Sequence, residues 1–206
     1  MPRFYLLRHG EIDWPETDCF IGQVDPPLSA IGRRQAHAWN KQLGDTPLDG
    51  IWSSDLQRAT ETTATVFAGR AAEVRISSDL REIKLGAWDG MPRRWVKTEQ
   101  PDLWRARGRN LAGFRPPQGE SFLDLQERTV RRVEQIAADA GGAVCMVTHA
   151  GVIRVLICRW LQMPLANLFR IRLNYGSLSI VDHTPERIEV CALNLMPPGF
   201  GNLLQR

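Results

Sequence analysis

Two short apolar runs, Phe4 to Leu7 and Ala143 to Val147, each stop at a histidine. The first ends in Arg8-His9-Gly10 and the second in Thr148-His149-Ala150-Gly151. Runs this short and this apolar, closed by glycine, read as strands buried on both faces. Between them helical and extended patterns alternate. Ser29 stands where it can cap a helix through about Leu43, with Ile31, Gln35, Trp39 and Leu43 stacked at spacings near four. Asp49 to Ser53 reads as a second strand, and Ser54 or Asp55 as the cap of a helix towards Ala68. Val74 to Ile76 is a short third strand. Glu120 to Ala138 reads as a helix with Phe122, Leu125, Val130 and Val133 on its apolar side. A helix over Val152 to Leu161 and strands near Leu178 to Val181 and Arg187 to Leu195 follow.

This alternation predicts the α/β class, a three-layer α/β/α sandwich around a mixed, mostly parallel central sheet. A chain of 206 residues suits one domain, 1–206. The Trp- and Arg-rich stretch from Met91 to Arg115, punctuated by Pro92 and Pro101, reads as a partly helical insertion. Open sheets of this kind bind ligands beyond the C-terminal ends of their strands, where the pattern puts both His9 and His149.

The formal net charge is +3, and the arginines are scattered rather than gathered into a basic block. Nucleic-acid binding is therefore not expected, and a small anionic substrate suits the balance better. Cys19, Cys145, Cys158 and Cys191 lie far apart with no zinc-ligand spacing, which fits a reducing compartment. Cys145 and Cys158, in apolar runs, read as small buried hydrophobes. The apolar run in MPRFYLLRHG is too short for a signal peptide or membrane span, so the expectation is a soluble cytoplasmic protein.

Of the four histidines, His37 on a charged helix face and His183 in Asp182-His183-Thr184-Pro185 read as surface residues. His9 and His149 differ, because a nearby glycine lets the backbone approach a ligand. Arg8 beside His9 asks for an anion. Arg58, in Ser53-Ser54-Asp55-Leu56-Gln57-Arg58-Ala59, stands after another strand, where a guanidinium and a helix N-terminus can hold phosphate together.

The stretch Leu6-Leu7-Arg8-His9-Gly10-Glu11 resembles the signature of the histidine phosphatase superfamily, phosphoglycerate mutase-like branch. Further matches run in family order. They are Phe20-Ile21-Gly22 leading to Pro27-Leu28-Ser29 and Gly32; the Arg58 segment; Leu80-Arg81-Glu82 with Gly86, Trp88 and Gly90; Pro117-Gln118-Gly119-Glu120-Ser121; and Val147-Thr148-His149-Ala150-Gly151. The resemblance implies a phosphoglycerate mutase-like fold and a phosphomonoesterase that needs no metal or other cofactor. It implies His9 as nucleophile, Arg8, Arg58 and His149 around the phosphate, and Glu82 as proton donor and then acceptor. Ile21, Gly22 and Ala150 would contact substrate, and the protein would be a monomer or homodimer. Glu11 and Asp13 are the alternative acids.

Mutases of this branch commonly have Ser after R-H-G-E and Asn three residues later; Ile12 and Pro15 stand here, which favours a phosphatase. Trp88 within its Gly-Ala-Trp-Asp-Gly setting, with the overall length, is most similar to the α-ribazole phosphatases of cobalamin biosynthesis. A mutase-type phosphotransferase and a non-catalytic phosphoester-binding module are the alternatives. Trp95, Trp104, Arg105, Arg107 and Arg109 either fold over the pocket and select the leaving group or equally serve packing and solubility.

Overall fold

A computed structural model describes residues 2–16, 18–184 and 187–200. The elements in chain order are β1 (Arg3–Arg8), α1 (Ala30–Leu43), β2 (Gly50–Ser53), α2 (Gln57–Val66), β3 (Val74–Ile76), α3 (Arg93–Glu99), α4 (Pro101–Arg109), α5 (Phe122–Asp139), β4 (Ala143–Thr148), α6 (Ala150–Trp160), β5 (Leu178–His183) and β6 (Ile188–Leu195). One sheet has the order β3-β2-β4-β1-β5-β6. Its first four strands are parallel, and β5 and β6 are antiparallel additions. The mixed, mostly parallel sheet matches the expectation.

The period of two along a strand divides the core into two layers. Phe4 and Leu6 of β1, with Val144 and Met146 of β4, face α5 and α6, where Leu125, Val133, Ile136, Val152 and Leu156 are buried. Leu7, Cys145 and Val147 point the other way, onto Ala36, Trp39 and Leu43 of α1 and Ala59 and Val66 of α2. With both faces covered, β4 can be apolar from Ala143 to Val147. Parallel pairing sets Leu7 opposite Val147 and Ser53 opposite Val147 and Ile76. The C-terminal ends of all four parallel strands therefore share one edge.

Caps fix the helix starts. The Ser29 hydroxyl accepts the Gly32 N–H at 3.0 Å, and Ser121 with Asp124 forms a capping box on α5. Neither Ser54 nor Asp55 caps α2 as expected. The helix begins two residues later, and its Gln57 N–H donates to the Asp25 carboxylate at 2.8 and 2.9 Å. Asp55 pairs instead with Arg81 at 2.6 Å. Ile31, placed on the apolar stripe of α1, is exposed, because only Gln35, Trp39 and Leu43 of that series turn inward. His183 closes β5 rather than sitting on an open turn, and its ring packs edge-on against Phe4 and Trp160; Pro185 lies outside the described residues. His37 is exposed, as expected, and all four cysteines are free, with Cys145 and Cys158 buried. The stretch 91–115 contains α3 and α4, and among the described residues no helix is long and apolar enough to cross a membrane.

Candidate active site

His9 leaves the end of β1 pinned on both sides. Its N–H donates to the Thr148 carbonyl and its own carbonyl accepts from Gly176, both at 2.9 Å. The ring Nδ1 lies 2.8 Å from the Gly10 carbonyl. A carbonyl only accepts, so Nδ1 carries the hydrogen and the neutral ring keeps its lone pair on Nε2. Burial, followed by the charges of Arg58 and Arg8, holds the imidazole well below the usual histidine range, against the smaller opposite pull of Gly10. His9 is thus neutral at pH 7. Arg8 donates to the Leu173 carbonyl at 2.7 Å and lies 3.7 Å over the Tyr175 ring, and its buried Nε has no partner among the described residues.

The sharp turn after β2 brings in Arg58, which is 1% exposed. Its Nη atoms donate to the carbonyls of Val24 at 2.6 Å and Gly22 at 2.7 Å. Gly22 can present that carbonyl because it has φ +53° and no Cβ, where a side chain would collide with the Asp89 carboxylate. Arg58 Nε donates to His149 Nδ1 at 3.3 Å, so His149 carries its hydrogen on Nε2 and donates it to Ser54 Oγ at 2.8 Å. Burial, then Arg58, keeps His149 also well below the usual range. The two histidine rings are 5.0 Å apart between centroids. His149 is completely buried and stands behind His9 and Arg58, with both ring nitrogens engaged, rather than on the cavity wall.

The loop after β3 contributes Glu82. One carboxylate oxygen accepts from the Ile83 N–H at 2.9 Å and the other from the Gly151 N–H, in the first turn of α6, at 3.1 Å. Arg128 of α5 holds this loop by donating to the carbonyls of Asp79, Arg81 and Glu82 at 2.7, 3.0 and 3.1 Å. Arg128 also pairs with Glu120 at 2.6 Å. Gln23 adds a bond to the Glu82 carbonyl at 3.0 Å. The alternative acids are elsewhere: Glu11 accepts from the Ser29 hydroxyl at 2.9 Å beside the start of α1, and Asp13 is exposed.

A cavity of about 190 Å³ opens at this edge. Arg8, His9, Arg58 and Glu82 face it, and so do Ile21, Gly22 and Ala150, the three positions expected to contact substrate. Glu82 is the sole carboxylate among the lining residues. Of the aromatic and basic residues assigned to cover it, only Arg107 reaches it. Trp104 packs onto Phe20, while Trp95, Arg105 and Arg109 are exposed. Trp88 is wholly buried, stacked on Phe20 and bonded to Gln100, so it belongs to the core. Sequence reasoning missed Tyr175, Arg93, Arg154, Phe169 and the Ser54 partner of His149. The glycine in Asn174-Tyr175-Gly176, just before a strand, was the available signal for Tyr175, since Gly176 takes φ +67°. Among the described residues no group of three or more His, Cys, Asp or Glu side chains could hold a metal ion.

Fold and cavity define an α/β protein with a neutral histidine among arginines at the carboxyl edge of a parallel sheet. The histidine phosphatase superfamily (branch 1) matches residues 4–196, and the chain belongs to that family. It is 30% identical over 181 residues to the adenosylcobalamin/alpha-ribazole phosphatase of Salmonella typhimurium, covering 87% of this chain and 90% of that one. It is 34% identical over 174 residues to a glucosyl-3-phosphoglycerate phosphatase of Mycobacterium tuberculosis, covering 80% and 78%. The crystal structure of the alpha-ribazole phosphatase from Shigella flexneri superposes with a TM-score of 0.87 at 27% identity, over 97% of this chain and 100% of that one. The protein is a phosphatase of this family.

Proposed function

We propose that the protein hydrolyses the phosphate ester of a small metabolite through a phosphohistidine formed on His9. The observation that carries this reading is the His9 ring: neutral, with Nδ1 tied to Gly10 and Nε2 free beside two guanidinium groups. Nε2 attacks phosphorus as the bond to the leaving oxygen breaks, and the departing alkoxide takes a proton from Glu82. Glu82 then removes a proton from water. The resulting hydroxide attacks the phosphohistidine, releasing phosphate and restoring Nε2. The Nδ1–H bond to Gly10 supports the positive ring that forms during transfer.

Arg8 and Arg58 stabilise the charge that grows on the phosphoryl oxygens. His149 acts as a positioning group. Its ring accepts the Nε–H of Arg58 and so fixes that guanidinium beside the phosphate, in place of the direct oxygen contact implied by the resemblance. Ile21, Gly22 and Ala150 line the same cavity and would contact the substrate.

α-Ribazole 5′-phosphate is the first substrate to test, on the strength of the relatives reported above, with glucosyl-3-phosphoglycerate as the second. Turnover of a panel of phosphorylated metabolites should release inorganic phosphate, with transfer to water faster than to any sugar acid. Faster transfer to a sugar acid would identify a mutase. Specific binding without turnover would identify the non-catalytic module.

A further inference from the structure

Arg8, Arg58, Arg93, Arg107 and Arg154 line the cavity against the single carboxylate of Glu82. A phosphomonoester brings about two negative charges at neutral pH, and Arg8 and Arg58 beside His9 already answer them. Two of the outer arginines have partners within the protein. Arg93 lies 3.6 Å from the Asp18 carboxylate, and Arg154 donates to the Ile171 carbonyl at 3.0 Å.

Arg107 has neither a hydrogen-bond acceptor nor an acidic partner among the described residues. Burial and the like charge of Arg93 both weaken its hold on its proton. It is half-buried, with its guanidinium 5.5, 5.7 and 5.8 Å from the ring centroids of Phe20, Trp104 and Phe169. Rings on several sides fix the position of the fork but satisfy none of its N–H groups. A cation kept partly out of water beside another cation carries a standing free-energy cost, and an uncharged side chain would pack against those rings without it.

The aromatic faces also bear on the leaving group. Arg93 and Arg107 stand over Phe20, and Arg107 and Arg154 over Phe169. Guanidinium groups therefore occupy faces on which a flat heterocycle would otherwise stack. The same cavity also has apolar side chains on its wall, among them Ile21, Ile83 and Phe122.

We infer that Arg107, supported by Arg93 and Arg154, is a second oxyanion subsite. The preferred substrate is then a phosphomonoester bearing a further carboxylate or phosphate, separated from the scissile phosphate by a short apolar spacer. This rests on the phosphatase reading only for which end of the ligand enters first. It favours substrates of the acidic-sugar type over α-ribazole 5′-phosphate, whose phosphate is its sole anionic group.

Alkylphosphonates resist hydrolysis, so their binding tests the subsite whether or not His9 acts as a nucleophile. Calorimetry would compare simple alkylphosphonates with ω-carboxyalkylphosphonates and alkane bisphosphonates of graded length. One length of the carboxylate or bisphosphonate series should bind about tenfold tighter than its simple counterpart, the expected gain for one charge-assisted contact. Which series gains distinguishes carboxylate from phosphate. Arg107→Gln should remove most of that advantage and Arg107→Lys should restore part of it, with melting temperatures reporting that both variants are folded. Equal binding across all lengths in the intact protein would overturn the inference. So would an advantage that survives in folded Arg107→Gln. Absence of phosphate release from every monoester would refute the phosphatase reading alone.

Discussion

Replacing Gly151 with alanine should disable the proton donor while leaving the fold in place. Gly151 is the second residue of α6, and its N–H holds the Glu82 carboxylate. A Cβ built on it would overlap one Glu82 carboxylate oxygen, approach the carboxyl carbon to 3.1 Å and lie 3.3 Å from a Leu125 methyl. The backbone of α6 is held by its helical bonds, whereas the carboxylate is the far end of a rotatable side chain, so the carboxylate moves. Alanine favours the helix by about 1 kcal/mol over glycine, and losing the two hydrogen bonds to Glu82 costs about 0.5–1.5 kcal/mol each. The net change in stability should stay within about 2 kcal/mol, a shift visible in Tm but far from unfolding a domain of this size.

Activity should respond quite differently. Losing a positioned general acid costs about 10²–10⁴-fold, and the cost grows with the basicity of the leaving group. Steady-state kcat/KM would be measured for an alkyl phosphate and for p-nitrophenyl phosphate, whose phenolate departs without a proton. The alkyl substrate should lose about 10²-fold or more, and the nitrophenyl substrate much less. Wild-type activity on both, or equal losses on both, would show that Glu82 is not the proton donor.

Arg128→Gln removes donors to the carbonyls of Asp79, Arg81 and Glu82 and takes the ion-pair partner from Glu120, which keeps the Lys84 N–H. It should cost about 1–3 kcal/mol of stability and lower kcat more than it raises KM; denaturant titration with steady-state kinetics would check both. His9 and His149 are buried and held neutral, so each binds its proton more weakly folded than unfolded. As pH falls below about 6.5 the unfolded chain takes up protons that the native state refuses. Stability should therefore be full above that pH and decline below it, with a slope of up to about 2.7 kcal/mol per pH unit for the two groups. Stability curves between neutral and mildly acidic pH should show this decline, and it should be shallower in His149→Gln.

The sheet was readable because its strands announce themselves. Phe4 to Leu7 and Ala143 to Val147 are uninterrupted apolar runs ended by glycine turns, and a strand covered on both faces has no other way to be written. His9 and Arg58 were readable from their places after strand ends and Glu82 through the resemblance alone, and all three line one cavity. Long-range choices were not readable. Asp25 comes from a different loop to cap α2, and no local pattern encodes that approach. Whether His149 touches the cavity or stands behind Arg58 depends on ring positions set by Ser54, far away in the chain. Among the arginines of 91–115, Arg107 turns inward while Arg105 and Arg109 face solvent. Helical phase in a short helix without buried residues is set by what it docks against, here Phe20 and Phe169. The same holds for Ile31, which has the right spacing in α1 but lies just outside the buried arc.

The most direct test of the account is the chemical identity of the phosphorylated residue during turnover. Mixing the protein with labelled phosphomonoester and quenching rapidly under alkaline conditions should trap a phosphoramidate, stable to base and lost in acid, that maps to His9 by peptide mass. It should be absent from His9→Ala. In Glu82→Gln with p-nitrophenyl phosphate, whose leaving group needs no acid, it should accumulate, because the mutant lacks the base that activates water. Label on serine or aspartate, or His9→Ala that turns over as fast as the intact protein, would contradict the account.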